Sequence, residues 1–358
     1  MIRCGYYAPL KAPDHPVPSG DRTMARALVA ALEYGGHCVD LASGFQTRDG
    51  KGDDATQREL IEKATREVDH AVALGRKRGW QVWITYHSYY KAPDLLGPYV
   101  AQALGIPYVQ IEATRARKRL SGPWSRFARI TEEAADAAAL VFYLTERDSE
   151  ALAAYAPAGQ RHRHLRPFLP RADLPDATLG KAKLLSVGMF REGDKLASYD
   201  LISQTLALLE TKDWQLSVAG DGPAQQIVRR LLSPFENQIT CLGALDANEM
   251  IAAYQSAGIL LWPGVNEAFG MVYLEAQAAG LVVVAQDRPG VRDVLAPGVT
   301  RPSVEQGPVA LAQQIDLFIN NEAARFAAAQ QARNFVAQHH LIEAAARTLE
   351  AGLREVVA

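Results

Sequence analysis

Short apolar runs alternate with helix-length segments along the chain, and this rhythm limits the possible folds more than any single residue does. In the first half the runs are 2–7, 38–42, 81–86, 107–111 and 139–144, with helical patterns that include 21–34, 54–78 and 93–104. In the second half the runs are 183–187, 214–219, 238–242, 258–262 and 281–285. Strands that alternate with helices predict parallel α/β sheets.

A proline-rich stretch separates the two halves. Residues 166–175 contain Pro167, Pro170 and Pro175 and no periodic pattern, which is typical of an interdomain linker. A chain of 358 residues is also too long for one ordinary core. We therefore predict two doubly wound domains, residues 1–168 and 169–340, followed by a helical tail over 341–358. Doubly wound sheets bind ligands at the carboxyl ends of their strands.

Composition excludes several classes of protein. The net charge of −2 gives no general attraction to nucleic acid, and no run approaches the ~18 apolar residues of a membrane span. Three cysteines, Cys4, Cys38 and Cys241, are far apart, which argues against a disulfide framework or a structural zinc site. We expect a cytoplasmic protein without a cleavable signal.

Two carboxylates flank a Phe-Gly turn that follows the run 258–262. Glu267 lies in a loop, and Glu275 lies in the first turns of a helix predicted over about 271–280. The start of that helix offers free backbone N–H groups to an anion such as a diphosphate, from Phe269, Gly270 and Met271. A carboxylate one turn further on can accept two hydrogen bonds from a ribose diol. The pattern predicts a nucleotide-sugar site; the alternative is an ordinary loop acid and a helix-start acid.

Two more loops follow strands of the second half. Residues 188–195 carry Arg191 and Lys195, two cations that could pair with a diphosphate leaving group. Residues 220–223, Gly-Asp-Gly-Pro, lack the third glycine of a dinucleotide fingerprint because Gln225 stands there. This disfavours a dehydrogenase. A solvated basic loop and a common turn are the alternatives for these two segments.

In this order, the pieces resemble the retaining nucleotide-sugar glycosyltransferases of the GT-B fold (group 1, or family 4, type), in which Glu-x7-Glu is the donor-site hallmark. The resemblance covers nearly the whole second domain. It implies two Rossmann-like domains facing a central cleft, with the C-terminal helix packed back on the first domain. It also implies transfer with retention of configuration, no divalent metal and no cofactor, since the nucleotide-sugar is a co-substrate.

The resemblance also assigns roles to residues of this chain. Glu275 would bind the ribose, Glu267 would face the donor sugar, and Lys195 and Arg191 would stabilise the leaving diphosphate. Further donor contacts fall on Phe269, Gly270, Met271, Gly188, Gly222, Leu242 and Gly243. The loop over residues 18–22 resembles the Gly-rich loop that meets the phosphates and the acceptor, and it contributes Ser19, Gly20 and Asp21.

This chain departs from the family at two positions. Met189 follows Gly188 where members usually carry Arg or Lys, so we predict Arg191 as the substitute. Many members carry His-Gly at the end of a first-domain strand, where this chain has Glu112. His87, at the end of the preceding strand, is a candidate for sugar or acceptor contact, counted with the catalytic residues but without a proton-transfer role. A purely structural histidine is the alternative.

The acceptor is not identified by the sequence; a glycan, a lipid-linked acceptor and a small molecule are all compatible with it. Residues 111–130 contain one acid, Glu112, and six cations, which are Arg115, Arg117, Lys118, Arg119, Arg126 and Arg129. This segment predicts either peripheral contact with an anionic inner membrane face or an ordinary basic face that grips an anionic acceptor.

Three other functions stay open at this point. A nucleotide-sugar epimerase or a sugar phosphorylase of the same fold would need a similar donor site. A non-catalytic protein that binds nucleotide-sugars or glycans would keep the site without the reaction. Product analysis separates these from a transferase.

Overall fold

The computed structural model describes residues 1–17, 19–178, 182–298 and 301–357, so Pro18 of the predicted phosphate loop lies outside the described residues. The chain divides into two compact units. The first consists of Met1–Arg166 and Ile342–Ala358, and the second of Pro167–Leu341. Each unit has its own parallel sheet.

The first unit has six parallel strands in the order β2-β1-β3-β4-β5-β6. The strands are β1 Arg3–Tyr7, β2 Cys38–Ser43, β3 Val82–Ser88, β4 Tyr108–Ala113, β5 Leu140–Tyr143 and β6 Arg161–His164. The helices are α1 Gly20–Tyr34, α2 Asp54–Arg78, α3 Gly97–Leu104, α4 Ser125–Ala137, α5 Glu146–Tyr155 and α13 Ile342–Val357, with a short 3-10 turn at Arg117–Arg119.

All five strands predicted in the first half are confirmed, but β6 was not predicted. Its sequence, Arg-His-Arg-His, has no apolar residue to mark a buried strand. β6 lies at the edge of the sheet and pairs with β5 alone. A charged edge strand of this kind discourages pairing with another chain, so its polarity fits its position.

The C-terminal helix α13 packs within the first unit, mainly on α1. Its buried face includes Ile342, Leu349 and Leu353. At Gly352 a Cβ atom would lie 2.5 Å from the ring of Phe142, so this helix approaches β5 closely where only glycine fits.

The second unit has five parallel strands in the order β11-β10-β7-β8-β9. The strands are β7 Leu184–Val187, β8 Leu216–Ala219, β9 Ile239–Gly243, β10 Ile259–Leu261 and β11 Val282–Val284. The helices are α6 Asp194–Ala207, α7 Gln225–Leu232, α8 Ala247–Ser256, α9 Met271–Ala278, α10 Val291–Val294, α11 Gly307–Asn320 and α12 Glu322–His339, with 3-10 turns at Ser233–Gln238 and Val304–Gln306. All five predicted strands are confirmed.

Both sheets have a point at which the strand order reverses. In the first unit it lies between β1 and β3, and in the second between β7 and β10. The loops that leave two such strands diverge to opposite faces of the sheet, which opens a crevice for ligands at their carboxyl ends. Within the described parts of the chain, no helix combines the length and the apolar character needed to cross a membrane.

Candidate active site

Lys195 and Glu267 meet at the reversal point of the second sheet. Lys195 lies in the first turn of α6, after β7, and Glu267 lies in the loop after β10. The Lys195 ammonium donates to the Glu267 carboxylate, although 72 residues separate them in sequence. Trp262 Nε1 donates to the same carboxylate oxygen at 2.9 Å. The structure therefore joins two residues that the sequence predicted separately.

Trp262 was not among the predicted site residues. Its indole holds Glu267 through the hydrogen bond above, and Lys195 Nζ lies 5.3 Å from the centre of the indole ring. The same indole explains Gly188, because a Cβ atom there would lie 2.4 Å from the Trp262 ring. The sequence signal for Trp262 was its place at the end of a predicted strand, five residues before Glu267.

The loop after β8 interlocks with the loop after β7. Gly222 has φ +147°, and a Cβ atom at this residue would lie 2.5 Å from the Phe190 carbonyl oxygen. The Phe190 N–H in turn donates to the Asp221 carbonyl at 2.9 Å. Gly222 thus allows two backbone segments to lie in contact at the strand ends.

The two predicted cations of this region have different surroundings. The Lys195 side chain is 32% exposed and paired with Glu267. Arg191 is exposed, and its side chain forms no ion pair with any described residue. Met189 beside it is also exposed. The structure thus brings Lys195, but not Arg191, onto Glu267.

The start of α9 has the geometry of an anion site. Gly270 is the residue before the helix, with φ +72°, and a Cβ atom there would lie 2.6 Å from the Tyr273 ring. In the described chain, the backbone N–H groups of Phe269, Gly270 and Met271 donate to no other protein group. Three unsatisfied donors at a helix start favour an anionic ligand.

Glu275 lies one turn further into α9 and is largely shielded from solvent. Burial raises the pKa of this carboxyl, and a hydrogen bond from the Tyr254 hydroxyl at 2.7 Å opposes the rise. The bond is made to Oε2, which leaves Oε1 for a ligand hydroxyl. Tyr254 comes from α8, 21 residues earlier, and no motif in the sequence connects it to Glu275.

Leu242 and Gly243 end strand β9, beside the loop after β8. The Gly220 N–H donates to the Gly243 carbonyl at 2.8 Å, and Gly243 has φ +74°. Both residues are half-buried. The predicted donor residues of the second unit therefore lie at or just after the carboxyl ends of β7, β8, β9 and β10.

A second charged cluster lies at the reversal point of the first sheet. His87 ends β3 and Glu112 ends β4, and both have positive φ, +58° and +59°. His87 Nδ1 lies 3.0 Å from Asp21 Oδ1 and 3.9 Å from Glu112 Oε2. Left-handed backbone is uncommon for residues other than glycine, and residues held in this conformation cluster at functional sites.

The carboxylates around His87 keep its ring charged. Burial alone would lower the pKa of His87, but the Glu112 charge and the hydrogen bond to Asp21 outweigh burial and raise the pKa to about 9. Asp148, which the sequence did not indicate, adds to the raised pKa. A histidine that is charged at neutral pH donates hydrogen bonds and supplies positive charge, and it is not a base there.

The predicted phosphate-loop residues Ser19, Gly20 and Asp21 lie at the start of α1, which begins one residue before the predicted helix 21–34. Ser19 precedes α1 and caps it, since its hydroxyl accepts from the Arg22 N–H at 3.2 Å, while Gly20 and Asp21 form the first turn. A serine before a helix serves as its cap, so the segment fits the start of a helix. The predicted contact of these residues with the phosphates and the acceptor stays a prediction.

The predicted basic face over 111–130 is smaller than its sequence suggests. Arg115 is buried and bridges Glu132 and Asp136, at 2.8 and 2.6 Å. Arg126 pairs with Asp54 on α2 at 2.9 Å. Two of the six cations are therefore neutralised within the first unit. The charges of this segment that have no such partner among the described residues are those of Arg117, Lys118, Arg119 and Arg129.

Comparison with known proteins relates this geometry to a family. Residues 177–335 match the family "Glycosyl transferases group 1". The match begins near the start of the second unit and contains the loops after β7, β8 and β10 and the helix α9.

Curated relatives match parts of the chain. A 2-deoxystreptamine glucosyltransferase of Streptomyces kanamyceticus is 26% identical over 61% of this chain and 62% of its own length. A D-inositol 3-phosphate glycosyltransferase of Corynebacterium urealyticum is 35% identical over 25% of this chain and 22% of its own length. The matches thus span less than two thirds of these relatives.

Solved structures resemble the chain over nearly its whole length. Sucrose-phosphate synthase from Thermosynechococcus elongatus has a TM-score of 0.72 and 18% identity, and the match covers 99% of each chain. HepE of Anabaena, in complex with UDP, has a TM-score of 0.72 and 15% identity over 99% of this chain and 100% of its own. The chain has the GT-B fold, and its residues 177–335 match the group 1 glycosyltransferase family.

Proposed function

We propose that this protein transfers a sugar from a nucleotide-sugar donor to an acceptor hydroxyl. The observation that carries the proposal is the set of groups at the strand ends of the second unit. A paired Lys195 and Glu267 lie at the sheet reversal, and α9 combines free N–H groups with a shielded Glu275 one turn later. HepE structures hold UDP, and UDP-glucose in another complex, which supports a donor of this type.

In this proposal Glu275 binds the ribose and the N–H groups at the start of α9 bind the diphosphate. Oε1 of Glu275 accepts from one ribose hydroxyl, while Tyr254 holds the other carboxylate oxygen in place. Leu242 and Gly243, near the Gly220 loop, border the base. Gly188 and Gly222 act indirectly, because the Trp262 ring and the Phe190 carbonyl take the space of their missing side chains and so keep the loops that face the donor close together.

Lys195 and Glu267 would act at the reacting centre. The bond between the anomeric carbon and the diphosphate oxygen breaks, and a bond to the acceptor oxygen forms on the same face of the sugar. The acceptor proton passes to the departing phosphate. Lys195 stabilises the negative charge that develops on that phosphate, and Glu267 orients the donor sugar and holds Lys195 in reach. Arg191, exposed nearby, supplies a weaker second charge.

Retention of configuration, independence of divalent metal and the cytoplasmic location belong to the same proposal. The reaction as written needs neither a side-chain nucleophile nor a metal, since cations and helix starts carry the charge. Transfer that persists in a chelator such as EDTA, with a product of unchanged anomeric configuration by NMR, would support it. An inverted product would contradict it.

A donor screen tests the proposal as a whole. The purified protein is incubated with single UDP-, GDP- and ADP-sugars, with and without cell extract, and released nucleoside diphosphate is measured. We expect release from one donor, enhanced by extract and abolished in Glu275→Ala, while Glu322→Ala, an exposed acid at the start of α12, behaves like the wild type. An absence of release, or release that does not depend on Glu275, would favour an epimerase, a phosphorylase or a binding protein.

A further inference from the structure

A short turn in the first unit presents an aromatic and a basic side chain side by side. The backbones of Tyr89 and Ala92 hydrogen-bond to each other, at 2.8 and 3.3 Å, and close the turn that carries Tyr90 and Lys91. The Ser88 hydroxyl, just before the turn, accepts from the Asp94 N–H at 3.1 Å. The turn is therefore held at its base.

Trp124 packs against Tyr90 and is held in place by contacts with Asp49 and Gly52. The two rings are 5.7 Å apart at an interplanar angle of 87°. Trp124 Nε1 donates to the Asp49 carbonyl at 3.1 Å. At Gly52, which has φ +75°, a Cβ atom would lie 2.5 Å from Pro123 and 3.3 Å from Trp124. The ring is thus ordered by the loop that precedes α2.

Two cations lie over the same two rings. Lys91 Nζ is 5.7 Å from the Tyr90 centroid and 5.3 Å from that of Trp124, and Arg119 Cζ is 5.1 and 5.6 Å from the same centroids. These distances require the two charges to lie within about 11 Å of each other, close to one Debye length at 0.1 M salt. We call Tyr90, Lys91, Arg119 and Trp124 the aromatic-cation patch.

No described carboxylate compensates the patch. Neither Lys91 nor Arg119 forms an ion pair with a described residue, and Arg119 Nε is buried without a hydrogen-bond partner there. The acids nearby are already engaged. Asp49 accepts three backbone N–H groups and the Gln57 amide, and Asp54 pairs with Arg58 and Arg126. Like charges over shared rings repel, so an anion placed between them would be stabilised.

Aromatic rings connect the patch to the charged cluster at the end of β3. The His87 and Tyr89 rings are 5.1 Å apart, and the Tyr89 and Tyr90 rings are 5.6 Å apart. Sugar and polyol rings present C–H groups that lie well on aromatic faces, and their hydroxyls suit charged partners such as His87 and Asp21. The rings therefore offer a continuous path between hydroxyl-binding groups and the cations.

We propose that the aromatic-cation patch binds the phosphate monoester of a phosphorylated sugar or polyol acceptor, whose hydroxyl end lies toward His87. The inference rests on the proposed transferase function and adds the chemical class of its acceptor. A phosphate monoester carries about −1.5 to −2 charges at neutral pH, which matches two cations. Arg119 offers a planar fork to phosphate oxygens, and Lys91 offers a point charge.

Calorimetric titration of the full chain, without any donor, tests this proposal. The probes are glucose 6-phosphate, inorganic phosphate and uncharged glucose. We expect the double variant Lys91→Gln/Arg119→Gln to weaken glucose 6-phosphate binding about tenfold or more, which is the usual effect of losing hydrogen bonds to a charged group. Lys118→Gln is the matched control. Lys118 lies next to Arg119 in the 3-10 turn Arg117–Arg119, is exposed, and has no ring contact among the described residues. Lys91→Arg, which keeps the charge, should bind like the wild type.

A second experiment, with lipid vesicles, distinguishes a free phosphate ligand from the phosphate of a lipid headgroup. Phosphatidylcholine vesicles with and without phosphatidic acid are sedimented with wild-type protein and the double variant. Binding of glucose 6-phosphate that needs the patch supports a small acceptor, and patch-dependent binding of phosphatidic acid vesicles alone supports a lipid-borne phosphate. Equal binding by wild type and double variant in both experiments, with matching circular dichroism spectra, would overturn the proposal. The donor screen with Glu275→Ala does not depend on the patch. A failure of the proposed transferase function can therefore be distinguished from a failure of the proposed phosphate site.

Discussion

At the scale of single residues, the pairing of Lys195 with Glu267 carries the chemistry of the proposed reaction. A cation that contacts the leaving group mainly as charge develops affects turnover more than donor binding. The Trp262 indole restrains both partners, so the pair is oriented before a donor arrives.

We predict that Lys195→Ala lowers kcat on the order of a hundredfold, with a much smaller change in the KM for the donor. Steady-state kinetics with the donor found in the screen measures both constants. Arg191→Ala is the comparison, and we expect a smaller loss because Arg191 is exposed and does not contact Glu267. A higher KM with unchanged kcat in Lys195→Ala would remove Lys195 from the transition state.

His87 gives a prediction about pH. Its pKa is raised from 6.5 to about 9, so the folded chain binds the proton more tightly than the unfolded chain. The stabilisation is complete below about pH 6.5 and is lost as the pH rises through 9; a shift of this size corresponds to about 3 kcal/mol.

Chemical denaturation at pH 6.5 and 9.5 measures this effect. The free energy of unfolding of the wild type should fall more across this range than that of His87→Gln, which lacks the titrating group. An NMR titration of the His87 ring gives an independent check. A titration midpoint near pH 6.5 would contradict the raised pKa of His87.

At the scale of elements, the start of α9 is a part of the donor site where the backbone tolerates little besides glycine. Gly270 has positive φ and no room for a Cβ atom beside Tyr273. Gly270→Ala should therefore destabilise the protein by about 1–3 kcal/mol and weaken donor binding. Thermal unfolding and calorimetric titration measure the two effects.

Gly44→Ala is the control, because a Cβ atom at Gly44 has open space around it and its φ is not positive. Its unfolding temperature should change little. If Gly270→Ala bound the donor and unfolded like Gly44→Ala, the proposed role of the helix start would be wrong.

Much of the fold and part of the site could be predicted from the sequence. Ten strands were visible because each is a short apolar run between helical patterns, whereas the polar edge strand β6 was not. Glu267 and Glu275 stand in one local motif, around a Phe-Gly turn after a predicted strand, so the sequence could indicate both as candidates. Their partners Trp262 and Tyr254 could not be assigned, since a hydrogen bond between side chains on different elements leaves no local pattern.

The basic residues of 111–130 also show what the sequence could and could not predict. The sequence counted six cations in 111–130 but could not show that Arg115 is buried between two acids contributed by α4. Arg119 of this segment lies over the rings of Tyr90 and Trp124 together with Lys91, and the two rings come from separate parts of the sequence. Tertiary pairing, rather than composition, decides which basic residues remain available to a ligand.

At the scale of the whole molecule, the C-terminal helix belongs to the first unit although the second unit precedes it in sequence. Leu349 is fully buried on α13. Leu349→Ala should cost about 2–5 kcal/mol, felt in the first unit. Hydrogen exchange, resolved by peptide, should show loss of protection in α1 and α13, with the sheet of the second unit unaffected. Equal loss in both units would contradict this division.

The most direct test of the central claim is a calorimetric titration of the nucleotide-sugar found in the screen into wild type, Glu275→Gln and Glu322→Gln. Glu275→Gln keeps the shape of the side chain and a partner for Tyr254 but removes the negative charge that would hold the ribose hydroxyls. We predict that Glu275→Gln binds about tenfold more weakly or worse, and that Glu322→Gln binds like the wild type. Equal affinity in all three proteins would contradict the assignment of the donor site to α9.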